Sequence, residues 1–126
     1  MIDQYNEYEP IQGYKVNGEL TIGENIGDLG GASISLRAYH IALNGREAPV
    51  LDGYTGDQRF FIGFAQVWSS LQKDELTLEL LKADPHSPPE FRLKGAVSNV
   101  PEFYSAFNVQ PGDGMFLPPE KRVKIW

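Results

Sequence analysis

Cysteine is absent from these 126 residues, so no disulfide braces the fold and no thiolate can hold a metal. Histidine is scarce, with only His40 and His86. Basic charge is short as well. Eleven Lys and Arg face seventeen Asp and Glu, the net charge is −6, and the one basic cluster is Lys121-Arg122-Val123-Lys124. That balance argues against a nucleic-acid partner, because affinity for a phosphate backbone needs a cationic surface. No apolar run nears the ~20 residues that cross a bilayer. Met1–Pro10 has neither the basic nor the apolar part of a secretory signal, so any export address of a parent protein is expected outside this chain.

Familiar catalytic patterns are missing too: there is no Gly-x-Ser-x-Gly, no phosphate-binding glycine loop and no His-Glu-x-x-His. A catalytic zinc takes three protein ligands plus water. Two scattered histidines do not make such a site. Two copies sharing a site would have only His40 and His86 as nitrogen donors.

What is present is a folded-domain composition, 41% hydrophobic over a length that suits one domain, residues 1–126. Its most informative stretch is Thr21–Gly31, TIGENIGDLGG. Glu24 and Asp28 lie four residues apart, one turn apart on the same helix face. Like charges so placed weaken an isolated helix by about 0.2–0.5 kcal/mol. A positive group is therefore expected beside them, and a metal ion or a metal-bound histidine would serve. The commoner use of such a pattern is a capping box, with Thr21 as cap and Glu24 reaching back. Capping accounts for Glu24 and leaves Asp28 unexplained. Nor does it explain Gly27, Gly30 and Gly31, each costing about 0.5–1 kcal/mol in a helix interior. Glycines there suggest close approach by another helix or backbone.

The patterning predicts a mainly α fold with about four helices and long irregular loops. Residues 1–20 read as an irregular arm, ending in a tight turn at Val16-Asn17-Gly18-Glu19. A helix from about Glu24 to Leu43 carries Ile26, Leu29, Ser33, Leu36, Tyr39 and Leu43 on one stripe, and Asn44-Gly45 stops it. Arg46–Gly56 is a loop. A second helix is capped by Asp57 and presents Phe60, Phe61, Phe64, Val67, Trp68 and Leu71, a face better suited to core packing than to a cofactor. A third runs from Asp74, its cap, to Lys82. Three prolines at 85, 88 and 89 exclude a regular helix there, and Phe91–Val97 is expected to be extended. Pro101 opens a fourth helix, PEFYSAF. The tail is turn-rich and is expected to dock Met115, Phe116, Ile125 and Trp126.

His40, beside Tyr39 near a helix end, reads as a surface residue. His86 sits in the proline-stiffened loop, between Asp84 and Arg92. Such a loop can aim an imidazole at an oxyanion and a guanidinium at a carbonyl. It can equally hold a histidine satisfied by Asp84 or backbone, with Arg92 paired on the surface.

Four blocks in this order resemble one family. VNGELTIGENIGDLGG is similar to VNG-x-x-T-x-GENIADxGG, QRFFIGFAQVW to an aromatic helix, DPHSPPEFRLKG to D-x-HSP-x-x-FR, and FYSAFNVQPGDGMFLPPEKRVKIW to the carboxyl end of the neprilysin-type zinc metallopeptidases. That group includes bacterial oligopeptidases and endothelin-converting enzymes. The resemblance implies part of a zincin-like catalytic domain, with 21–45 as zinc-ligand helix, 57–82 as helical pair and 83–126 as substrate loop and wrap. It implies Glu24 as third zinc ligand and Asp28 as the carboxylate orienting a zinc-bound histidine. It further implies His86 as oxyanion stabiliser and Arg92 as holder of a substrate carbonyl.

Two family segments are missing, the His-Glu-x-x-His helix and the substrate-gripping Asn-Ala-x-x. The chain thus resembles a C-terminal fragment that is inactive alone, with the rest of the enzyme and a peptide as partners. Exposure of its packing face would favour self-association. The missing cysteine beside the terminal tryptophan points to a bacterial branch, and Gly27 replaces the family's Ala. A periplasmic, envelope or extracellular parent fits the resemblance, and the chain itself leaves the compartment open. The rival expectation is a binding module that kept the fold and lost the chemistry.

Overall fold

The computed structural model describes residues 1–125. Six α-helices build it: α1 Ile2–Asn6, α2 Gly18–Leu43, α3 Gly56–Val67, α4 Asp74–Ala83, α5 Pro89–Val97 and α6 Pro101–Phe107. A 3-10 turn follows at Pro119–Lys121. The described residues contain no strand, only isolated bridges at Ile11–Tyr14 and Leu51–Tyr54. None of these helices is long and apolar enough to cross a membrane.

The expected four helices become six because two of them are short and depend on burial. Residues 1–20 are not an irregular arm throughout. α1 has no side-chain cap and five residues cannot sustain a helix in water. It forms because Tyr5 is fully buried, clustered with Val16 and Phe91. Phe91–Val97 is helical, not extended. Pro89 occupies the first position of α5, where the missing N–H costs nothing and the ring presets φ. The proline pair thus starts a helix.

α2 begins six residues earlier than expected. Asn17 caps it, accepting from Leu20 N at 3.0 Å, so Val16–Glu19 is a helix start rather than a turn. Gly18 is required there: a Cβ would lie 2.4 Å from the Ile2 carbonyl oxygen. Thr21 lies inside the helix, donating to Asn17 O at 3.0 Å, and the Thr21–Glu24 capping box does not form. The stop is as expected, with Asn44 left-handed at φ 50 and Gly45 after it. Gly27 and Gly31 face open space; the expected close approach at these two does not occur within this chain.

α3 is capped by Thr55, not Asp57, in a reciprocal box with Gln58. It ends at Val67, so Leu71 falls outside it and is fully exposed. Phe61 is its buried anchor, worth about 1.5–3 kcal/mol of transfer free energy. Asp74 is the first helical residue of α4 rather than its cap.

The main core joins Leu29 and Leu36 of α2, Phe61 of α3, Ala96 and Val97 of α5, Val100, and Phe103 of α6. Met115 and Ile125 pack on it, and Phe116 meets Tyr104 edge-on at 5.9 Å. Trp126 lies outside the described residues. α5 lies directly against α2, which brings the proline loop to the carboxylate face of α2.

Candidate metal centre

Glu24 and Asp28 project from the second and third turns of α2 toward α5. The positive group expected beside them is, within this chain, the Arg92 guanidinium. Its Nε donates to Asp28 Oδ2 at 2.6 Å and its Nη2 to Asp28 Oδ1 at 2.8 Å, a two-pronged grip. Nη2 also reaches Glu24 Oε2 at 3.3 Å. The Trp68 ring covers the guanidinium at 4.2 Å. Arg92 is therefore paired, but not on the surface: its side chain is 13% exposed and that of Asp28 is 9%. Burial works against the Arg92 charge, yet the hydrogen bonds and charges of Asp28 and Glu24 outweigh it and raise its pKa further.

Glu24 differs from its neighbour. Its side chain is 44% exposed, and both of its charged contacts go to Oε2: Arg92 at 3.3 Å and His86 Nε2 at 3.3 Å. His86 is held from behind, with its ring Nδ1 2.6 Å from Asp84 Oδ1 and its backbone N–H donating to the same oxygen at 2.8 Å. The backbone and ring hydrogen bonds from His86 lower the Asp84 pKa below the usual aspartate value. With Nδ1 donating to Asp84, Nε2 is a donor toward Glu24 only when the ring carries both protons.

A buried polar chain secures the two sides. Asn25 donates to Thr21 Oγ1 at 2.9 Å, and Ser87 Oγ donates to Asn25 Oδ1 at 2.9 Å. These residues adjoin Glu24 and His86, so the bond sets the loop against the helix. The sequence reading missed Asn25 and Ser87. The available signal was a polar side chain next to each chemistry-bearing residue, Asn25 on α2 and Ser87 in the proline loop. A cavity of about 190 Å³ opens beside the group, lined by Trp68, Leu80, Leu81, His86, Pro88 and Arg92. Larger clefts of about 620 and 630 Å³ lie elsewhere and contain none of Glu24, Asp28, His86 or Arg92.

The structure thus joins Glu24, Asp28, His86 and Arg92, and places His40 apart. His40 lies in the last turn of α2, with Nε2 2.7 Å from Asp57 Oδ1 at the start of α3. Among the described residues no three His, Cys, Asp or Glu side chains converge to hold a metal. The open carboxylate of Glu24 suits one ligand of a zinc ion, and the described residues do not suit a whole site.

Residues 1–123 match the model of peptidase family M13. Human endothelin-converting enzyme 1 is 45% identical over 130 aligned residues, covering all of this chain and 16% of that protein. Among solved structures, the Mycobacterium tuberculosis zinc metalloprotease Zmp1 in complex with an inhibitor is 52% identical with a TM-score of 0.96, over 99% of this chain and 20% of that one. PepO from Lactobacillus rhamnosis is 39% identical with a TM-score of 0.81, over 100% of this chain and 18% of that one. The chain spans a fifth or less of these relatives' lengths. With this match over nearly its whole length, the chain belongs to peptidase family M13.

Proposed function

We propose that this chain is the C-terminal portion of the catalytic domain of a bacterial zinc-dependent metalloendopeptidase, and that the parent enzyme hydrolyses internal bonds of oligopeptides. The observation that carries this reading is the contrast between two carboxylates one turn apart. Asp28 is buried in the grip of Arg92, whereas Glu24 is half-exposed beside His86. The family match and the 52% identity to a mycobacterial zinc metalloprotease support it.

Glu24 supplies one zinc ligand. Asp28 keeps a lone-pair direction on each oxygen beyond those Arg92 uses, and with it orients a zinc-bound histidine from the His-Glu-x-x-His helix expected upstream. Such a carboxylate fixes the ring's tautomer and raises its basicity. Zinc, when bound, polarises the scissile carbonyl and activates water. His86, its Nδ1 held by Asp84, donates from Nε2 to the developing oxyanion when the ring carries both protons. Arg92 spends Nε and Nη2 on the carboxylates and turns Nη1 to a substrate carbonyl.

The isolated chain, lacking the other ligands, binds zinc weakly and cleaves nothing. The test is Glu24→Gln in the full-length enzyme, read by metal analysis and peptide cleavage. Loss of both zinc and activity is expected. A variant retaining both overturns the reading, as does EDTA-sensitive cleavage by the isolated chain.

A further inference from the structure

One layer beneath the Arg92 group, α1 meets α5 in a contact that the proposed chemistry does not use. Tyr5 is fully buried, and its phenol occupies the space Gly95 leaves open on α5. A Cβ on Gly95 would lie 2.2 Å from the Tyr5 hydroxyl oxygen, 2.3 Å from Cζ and 2.8 Å from Cε2. No larger side chain fits unless the ring or the helix moves. The hydroxyl has no hydrogen-bond partner among the described residues, so the fit is one of shape.

Other contacts clamp the same place. Gln4 Nε2 donates to Gly95 O at 3.1 Å. Asn99 Nδ2 donates to Gly95 O at 2.7 Å and to Gln4 Oε1 at 3.0 Å. Tyr8 stacks on Phe91 with ring centroids 4.8 Å apart. α1 and Tyr8, just beyond its end, therefore grip α5 at Gly95 and Phe91, the residue one turn after Arg92 and the residue just before it. Burial first, then Tyr8 and the Asp28 charge, push the Tyr5 phenol pKa up, and Arg92 opposes them. The phenol stays neutral.

We infer that Tyr5 is a positioning residue for Arg92: its ring, seated against Gly95, sets the height of α5 on α2 and so holds the guanidinium on Asp28 and Glu24. The inference rests on the reading of Arg92 as the group that holds substrate. Raising a 2.2 Å contact to an ordinary 3.4 Å requires about 1.2 Å of movement. Taken up by α5, a shift of that size breaks a grip made at 2.6 and 2.8 Å.

The test uses the full-length, zinc-loaded enzyme. Tyr5→Leu, which leaves a gap, and Gly95→Ala, which forces a clash, should each raise KM on the order of tenfold to a hundredfold. Zinc content and kcat should change far less. Tyr5→Phe keeps the ring and should match wild type. The Tyr5→Leu/Gly95→Ala double variant, where the methyl finds room, should recover most of the loss. In an Arg92→Ala background neither substitution should raise KM further. Wild-type KM in both single variants when Arg92→Ala itself raises KM, or a full additional effect without Arg92, overturns the brace. A crystal structure of the Tyr5→Leu enzyme separates the two ideas. If Arg92 has left Asp28 while Arg92→Ala itself leaves KM unchanged, the brace stands and the substrate role of Arg92 fails. If the grip is undisturbed, the brace fails.

Discussion

Arg92 and Asp28, 64 positions apart in sequence, form a two-bond ion pair at 2.6 and 2.8 Å with both side chains largely buried. The pair is the joint between the helix that carries the acids and the helix that follows the histidine loop. Removing one member strands the other charge out of water, so Arg92→Ala should destabilise the fold by about 3–5 kcal/mol. Arg92→Lys should cost less, because an ammonium keeps the charge and loses the fork. Urea denaturation checks this, and equal losses for the two variants would count against the fork.

Asp84 governs the acid side of the histidine loop. Its pKa is lowered by the His86 backbone hydrogen bond, then by the His86 ring. A carboxylate depressed on folding adds stability that is present above its unfolded pKa and lost as pH falls through the folded one. The loop should therefore loosen only below about pH 4, as read by hydrogen exchange at 84–88. Asp84→Asn should loosen it at every pH. Loosening that sets in well above pH 4 would count against Asp84 as the controlling group.

Two glycines of α2 should respond with opposite signs. At Gly18 an added Cβ meets the Ile2 carbonyl at 2.4 Å, whereas at Gly23 nothing lies within 4 Å. Gly18→Ala should destabilise the chain by about 1–3 kcal/mol through overpacking against backbone. Gly23→Ala should stabilise the isolated chain by about 0.5–1 kcal/mol, since alanine is the better helix former. Thermal melts of both variants decide it.

Ile26, Ile34 and Ile41 of α2 are exposed, while Leu29 and Leu36 face the core. A helix apolar on both sides calls for a second partner. The isolated chain should self-associate through this face at micromolar concentration. Sedimentation should show species larger than 14.1 kDa, and Ile34→Glu should restore the monomer. A clean monomer without the substitution would sink the idea.

Local signals were legible at some helix ends and misread at others, where Thr55 rather than Asp57 caps α3 and Asn17 caps α2. Asn44-Gly45 ended α2 and Pro101 opened α6, because a left-handed cap and a proline at the first helical position act within a turn. The helix face bearing Glu24 and Asp28 followed from periodicity alone. Thr21 misled, since a threonine with a glutamate three residues on is a cap only where the helix starts. Asn17 starts it earlier, where Gly18 lets α1 lie on the backbone.

The sequence by itself determined the mainly helical class, the carboxylate pair one turn apart, and the presence of His86 and Arg92 on one proline-bounded segment. Tertiary structure decided what they touch. Helices as short as α1 and α5 gain too little from their own hydrogen bonds and exist by burial of Tyr5, Phe91 and Val97. The positive partner of Asp28 likewise came from a distant helix. A pairing across 64 residues depends on how two surfaces pack, and helical spacing within one segment carries no record of that.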